Sequence, residues 1–259
     1  MEILGRTLTK IAREKAGIIK PRIPHLIGYL PPVAEQVMRT YCRRRRARFH
    51  TLHLRRCKFY PSQFRLDYES ANLKIDRLRP ALTGEHQLKN AALALEALAL
   101  LKKSGIRISR RAVRQGITGT FWPGRFQIID RPGKPTIVLD VCHNTSGVEA
   151  FVRTCRTMFP GRTMPIVIGV VHKKEHQQMF DTLSTIAREY ALTPLKTHRS
   201  VSPAELQRTI DWKGMPVRRF GSLRSACDTV VKNALTDDII LVVGSHYLVG
   251  EYLKTYGWS

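Results

Sequence analysis

The sequence predicts an α/β fold whose later part is a mainly parallel, doubly wound sheet, and three observations carry that expectation. From residue 136 onward, apolar runs of strand length alternate with amphipathic runs of helix length, the pattern of βα units. Cap signals open several of the helical runs, as at Ser109, Ser202 and Ser222. The stretch Gly119-Thr120-Phe121-Trp122-Pro123-Gly124, rich in turn formers, separates this rhythm from a less regular first part.

Residues 7–16 are predicted to be helical, with Leu4, Leu8, Ile11, Lys15 and Ile18 near one face; Gly17 stops the helix and Pro21 prevents its continuation. Residues 23–27 suit a short strand. Pro31-Pro32 opens a second helix through Val33, Val37 and Tyr41 into a run of arginines. Residues 59–79 read as short strands and loops. The clearest helix covers residues 86–103, with Leu88, Ala91, Ala92, Leu95, Leu98, Ala99 and Lys102 at helical spacing, and the helix capped by Ser109 carries Val113 and Ile117. Beyond the punctuated stretch, residues 136–140 form a strand, followed by a helix bearing Val148, Phe151, Val152, Cys155 and Phe159. Residues 165–171 form another strand, followed by a helix bearing Met179, Phe180, Leu183 and Ile186. Ser202-Pro203-Ala204-Glu205 is a capping box with proline at the first helical position. Ser222 opens a further helix, residues 238–243 are an apolar strand, and a last helix runs through Tyr247 and Leu253.

At 259 residues the chain can hold one large domain or two ordinary ones around a real core. Hydrophobic residues at 43% and charged residues at 25% are ordinary for a globular protein. The most apolar run, residues 91–101, is interrupted by Glu96 and too short to span a bilayer. The opening Met1-Glu2-Ile3-Leu4-Gly5 lacks the basic-then-apolar pattern of a secretion signal. Five cysteines, odd in number and without a close pair at metal spacing, point to a reduced, cytoplasmic setting.

The formal charge of +24 is uneven: residues 1–121 hold 26 Lys/Arg against 8 Asp/Glu, and residues 122–259 hold 18 against 12. Its focus is Arg43-Arg44-Arg45-Arg46 with Arg48, Arg55, Arg56 and Lys58, a field that attracts polyanions, nucleic acid included. Arginines on an amphipathic helix are more commonly a solvated face, and the region lacks interleaved aromatics for base stacking, so nucleic acid is not the expected partner.

Four blocks in order resemble the folylpolyglutamate/dihydrofolate synthase family of the Mur ligase superfamily. They are Leu4-Gly5-Arg6-Thr7-Leu8 running into Glu14-Lys15-Ala16-Gly17-Ile18-Ile19-Lys20-Pro21; Leu82-Thr83-Gly84-Glu85-His86-Gln87 with Asn90-Ala91-Ala92; Trp122-Pro123-Gly124-Arg125-Phe126 with Leu139-Asp140-Val141-Cys142-His143-Asn144; and Gly244-Ser245 with Tyr247-Leu248-Val249-Gly250-Glu251. The resemblance implies that residues 1–121 are the remaining part of a Mur ligase central ATPase domain and that residues 122–259 are its Rossmann-like C-terminal domain. It also implies an activity: ATP phosphorylates a folate or dihydropteroate carboxylate to an acyl phosphate, and the amine of glutamate attacks it, with Mg²⁺ as cofactor.

The same resemblance assigns site residues. Asn90, Arg125, Asp140 and His143 would bind the nucleotide: Asp140 at the ribose or base, Arg125 and His143 near the phosphates, Asn90 from the first domain. Lys15 would be carbamylated and help to hold Mg²⁺. The residues give partial reasons of their own. Asp140 and His143 lie where an apolar strand gives way to a helix, the edge at which open α/β sheets bind ligands. Lys15 stands where the helix pattern expects an apolar residue, and burial of a lysine lowers its pKa. The ordinary alternatives are a helix-end lysine favoured by the dipole, helix caps for Asp140 and Asn144, and a surface cation for Arg125.

Three departures qualify the resemblance. Val141-Cys142 stands where the family has Gly-Ala, and its bulk would crowd a nucleotide. Lys173-Lys174-Glu175 replaces an Asp-Lys-Asp run; with its neighbours it also spells His172-x-x-Glu-His176, a zinc-protease pattern that here follows a strand and not, as that chemistry requires, on a helix. No Gly-x-x-x-x-Gly-Lys-Ser/Thr loop occurs in the 259 residues, so the amide cradle for ATP phosphates is absent from them. The expected reading is thus a truncated ligase component, inactive alone, whose partners are folate or dihydropteroate, glutamate, ATP and a missing N-terminal half as a separate chain. An inactive remnant and a basic RNA-binding module are the alternatives.

Overall fold

The computed structural model describes residues 7–172 and 176–258. Leu4, Gly5 and Arg6 of the first family block lie outside that range, as do Lys173, Lys174 and Glu175, on which the altered acidic run and the zinc-protease pattern depend. The described residues form two compact units. One runs to Pro80 and resumes at His86–Gly119; the other comprises Ala81–Glu85 and the chain from Thr120 onward.

In the first unit, Thr7 caps α1 (Leu8–Lys15) by accepting the Lys10 N–H at 3.2 Å. The helix buries Ala12, and Ala16 and Ile19 follow into the core. The sequence expectation placed Leu8, Lys15 and Ile18 on the inner face; all three are exposed. The small alanines let α1 sit close to α2 (Pro32–Arg44), which itself buries Ala34, Met38 and Cys42 in place of Val33, Val37 and Tyr41. Between them lies β1 (His25–Ile27), paired in parallel with β2 (Phe49–Thr51) as a two-stranded sheet. The stretch 59–79 resolves into an antiparallel sheet of β3 (Cys57–Tyr60), β4 (Arg65–Glu69) and β5 (Lys74–Leu78).

This sheet packs Leu66, Tyr68, Ile75 and Leu78 against Leu88, Ala92, Leu95 and Ala99 of α3 (Glu85–Lys103). Glu96 interrupts that apolar face and is only 2% exposed. It is satisfied by the Tyr68 hydroxyl, which donates to Oε2 at 2.7 Å, and by the Arg56 guanidinium at Oε1. A buried carboxylate is tolerated only when so paired. The helix α4 (Arg110–Thr118) follows, capped by Ser109 and burying Val113.

The second unit is the doubly wound sheet. Its strands are β6 (Gln127–Ile129), β7 (Thr136–Asp140), β8 (Met164–Ile168), β9 (Ala187–Leu192), β10 (Val217–Arg219) and β11 (Ile239–Val243), in the spatial order β10-β9-β8-β11-β7-β6. All neighbours are parallel except the β6–β7 edge pair. Side chains alternate between the two faces, as a pleated strand requires. From β11, Ile239, Leu241 and Val243 enter one core while Ile240 and Val242 enter the other. The first core is covered by α5 (Thr145–Met158), α6 (His176–Ser184) and α7 (Pro203–Thr209); the second by α8 (Leu223–Asn233) and α9 (His246–Tyr256). The fold class read from the sequence is thus observed. Four strands of the two units went unread: β2, β6 and β10 are three residues long, and β9 carries Arg188 and Glu189 within it. No described helix is long and apolar enough to cross a membrane.

Candidate functional site

The site builds on the carboxyl edge of the second unit's sheet. Strands β7 and β11 are neighbours there, yet β7 leads into α5 on one face and β11 into α9 on the other. Divergence of this kind opens a crevice at the strand ends, where ligands of open α/β sheets bind. Both helices begin at that edge with a side-chain cap. Asn144 Oδ1 accepts the Gly147 N–H at 2.8 Å, and Ser245 Oγ accepts the Tyr247 N–H at 3.1 Å. His143 and His246 stand immediately beside these caps, with ring centroids 5.4 Å apart. Uncapped amides at helix N-termini favour anions.

Asp140 ends β7 and is 8% exposed. Its Oδ2 accepts the Phe126 N–H and its Oδ1 the Cys142 N–H, both at 2.8 Å. Burial pushes its carboxyl up to about 6, against the pull of those two amides and of the Arg125 charge. The bonds make Asp140 a strut between the end of β7 and the turn that presents Arg125. That turn is unusual: Gly124 and Phe126, on either side of Arg125, both have positive φ, 68° and 47°. For a phenylalanine this costs on the order of 1–2 kcal/mol. Burial of its ring at 4% exposure, against Phe151 at 5.6 Å and Phe159 at 6.3 Å, offsets the strain. Gly124 cannot be otherwise, because a Cβ there would lie 2.7 Å from Val249 Cγ1 and 2.9 Å from Val141 Cγ1.

The structure corrects the expectation that Val141 and Cys142 crowd the crevice. Val141 is 4% and Cys142 5% exposed, and they enter opposite cores of the sheet, so their bulk is spent on packing. His143 is half-buried, its Nδ1 3.0 Å from the Val141 carbonyl oxygen. The sequence singled out Arg125, Asp140 and His143, which this edge gathers; it did not single out His246. The signal for His246 was present in Gly244-Ser245 at the end of an apolar strand. Gly244, with φ 112°, abuts the Gly169 carbonyl, leaving no room for a Cβ.

In the first unit, Asn90 is exposed on α3 and donates from Nδ2 to Gln87 Oε1 at 3.0 Å. Lys15 ends α1 and is exposed, so the argument from burial of its amine does not hold. Among the described residues no group of three His, Cys, Asp or Glu side chains could hold a metal ion.

Residues 124–246 match the Mur ligase, glutamate ligase domain. Across 98% of its length the chain is 30% identical to the dihydrofolate synthase/folylpolyglutamate synthase of Bacillus subtilis. The chain belongs to the folylpolyglutamate/dihydrofolate synthase family. It spans 59% of the length of that relative. Solved members of the family agree with the fold. Folylpolyglutamate synthase from Thermotoga maritima superposes with a TM-score of 0.77 at 27% identity, covering 98% of this chain and 59% of that one. FolC of Escherichia coli in complex with DHPP and ADP gives 0.80 at 25% identity, covering 98% and 58%.

Proposed function

We propose that the chain is the later portion of an ATP-dependent ligase that joins glutamate to a folate or dihydropteroate carboxylate through an acyl phosphate. In this reading residues 1–121 are part of the central ATPase domain and residues 122–259 the C-terminal domain. The observation that carries it is the carboxyl edge of β7 and β11, where His143 and His246 meet beside two helix N-termini and Asp140 ties down the strained turn that carries Arg125. Such an edge suits the phosphates of a nucleotide: a guanidinium offers paired N–H donors, and helix N-termini favour anions. Asp140 holds the Arg125 turn through Oδ2 and the end of β7 through Oδ1, and a nucleotide contact would use their remaining lone pairs. Asn90, exposed on α3, would also contact the nucleotide.

Lys15, carbamylated, would serve as one ligand of Mg²⁺. The described residues do not fit that ion unaided, since Mg²⁺ needs near-octahedral oxygen ligation and Lys15 has no carboxylate cluster with it. The first unit supports completion by further chain. Parallel sheets are ordinarily covered and extended on both sides, whereas β1–β2 has two strands, with Leu8, Ile18, Ile23 and Val33 exposed on neighbouring segments. An N-terminal portion carrying the phosphate loop, in cis or as a second chain, would complete it.

The test is calorimetric and enzymatic. The chain alone is expected to bind ADP weakly and to show no folate-dependent glutamate incorporation; with the N-terminal portion of a relative supplied, incorporation appears and Arg125→Ala or His143→Ala abolishes most of it. Robust ligation by the chain alone, or none by a well-folded completed enzyme, would overturn the reading.

A further inference from the structure

Between Glu14 and Asp67 the sequence has a single carboxylate, Glu35, against thirteen Lys and Arg residues. Glu35 is taken by Arg39 at 2.6 Å, and Arg56 is taken by Glu96. The fold concentrates the others. The Arg22 N–H donates to the Arg45 carbonyl at 3.0 Å, and the His25 N–H to the Arg48 carbonyl at 2.8 Å. These bonds lock the loop after α1 against the loop after α2, so that Lys20 and Arg22 join Arg43, Arg44, Arg45, Arg46 and Arg48 on one exposed surface. No ion pair joins these seven to a described carboxylate. Arg22 and Arg46 hold left-handed backbone, φ 62° and 52°, where glycine or asparagine is the unstrained choice. Cations kept at a backbone cost point to use of the charge.

The ring chemistry narrows the partner. Tyr41 and Phe49 lie within the cluster, a correction to the expectation that aromatics are absent. One face of each meets a guanidinium, Phe49 that of Arg39 at 4.2 Å and Tyr41 that of Arg44 at 5.9 Å. Single-stranded nucleic acid binds largely by stacking on open rings, and these two are half-buried with one face each turned to a guanidinium. A flexible chain of carboxylates needs only guanidinium forks, which arginine supplies in paired geometry. The surface also begins five residues after Lys15, in the segment to which the proposed chemistry assigns the metal.

We propose that this arginine surface docks the poly-γ-glutamate tail of a folate substrate, with affinity growing as the tail lengthens. The inference rests on the ligase reading for the identity of the anion. It is tested without turnover, by fluorescence anisotropy of the chain with labelled γ-linked mono- and pentaglutamate and with single-stranded RNA of equal charge. Four added carboxylates, each making a weak exposed ion pair, raise the affinity about tenfold, and the gain shrinks with added salt. The triple variant Arg43→Gln/Arg45→Gln/Arg46→Gln, on exposed side chains, keeps its circular dichroism and melting temperature and loses the length dependence. Affinity indifferent to tail length, length dependence unchanged in the triple variant, or RNA binding tighter than pentaglutamate would each overturn the proposal. ADP titration of the same protein reports on the nucleotide edge independently, so loss of the ligase reading and loss of the tail site are separate results.

Discussion

The second unit covers both faces of a six-stranded sheet with helices, whereas the first divides its strands between a three-stranded antiparallel sheet and an open parallel pair. Each unit also buries carboxylates that must be satisfied. In the second unit Asp140 is met by two amides within fourteen residues of chain, while the buried Asp238 is met by the Leu235 amide and by Arg188, 50 residues away. In the first, Glu96 is met by side chains 28 and 40 residues away, across separate elements. Both units therefore carry a long-range arginine–carboxylate clasp; in the first it lies on the core face of α3, in the second just ahead of β11.

The sharpest way to break this comparison is Arg56→Ala. It strands Glu96 at 2% exposure, and loss of one partner of a buried pair costs about 3–5 kcal/mol, toward the low end because Arg56 is itself partly solvated. Hydrogen exchange should show α3 and β4 losing protection while β7 and β11 keep theirs; equal loss in both units would mean that the clasp is not local. Glu96→Gln, which keeps an acceptor for Tyr68, should cost less than half as much. Next in size, Gly124→Ala should destabilise the second unit by about 2–4 kcal/mol, from left-handed strain and the clash with Val141 and Val249. Adding Val141→Ala should recover part of that in denaturant melts; strict additivity would show that Val141 does not pack on the turn.

A pH series sharpens the contrast between burial and pairing. The folded-state pKa of Asp140, about 6, lies above the unfolded carboxylate value of about 3.9. The folded unit therefore takes up the proton first. Its stability relative to an Asp140→Asn variant should rise as the pH falls from 7 to 4, with the change falling between about 6 and 4. A difference that shrinks on acidification would show that the amides and Arg125 outweigh burial. The smallest effect is at the cap: Asn144→Ala should cost about 1 kcal/mol in the second unit and weaken ADP binding little, because it removes one cap bond and no charge. A large loss of ADP affinity would make Asn144 a ligand contact.

Most secondary structure was legible because its causes are local. The caps at Ser109, Ser202 and Ser222 each bind an amide three residues on. The strands at residues 136–140 and 239–243 announce themselves as apolar runs, since both faces are buried. Helical faces in the first unit were read one position out, at Lys15 and at Val37, because close packing of α1 and α2 selected the small residues Ala12, Ala16 and Ala34 over larger apolar ones. Spacing alone does not weigh side-chain size against the distance between helices.

By itself, then, the sequence determined the α/β class, the cap positions, the family motifs, and Arg125, Asp140 and His143 as candidates at a strand end. Each of these rests on residues within a few positions of one another. Tertiary structure alone decided that β11 inserts between β8 and β7 and so brings His246 to His143. It also decided that Val141 and Cys142 point into opposite cores, and that Lys20 and Arg22 lie beside Arg45 and Arg48. Those outcomes depend on which distant apolar faces find one another, and a linear pattern records the faces without recording their partners.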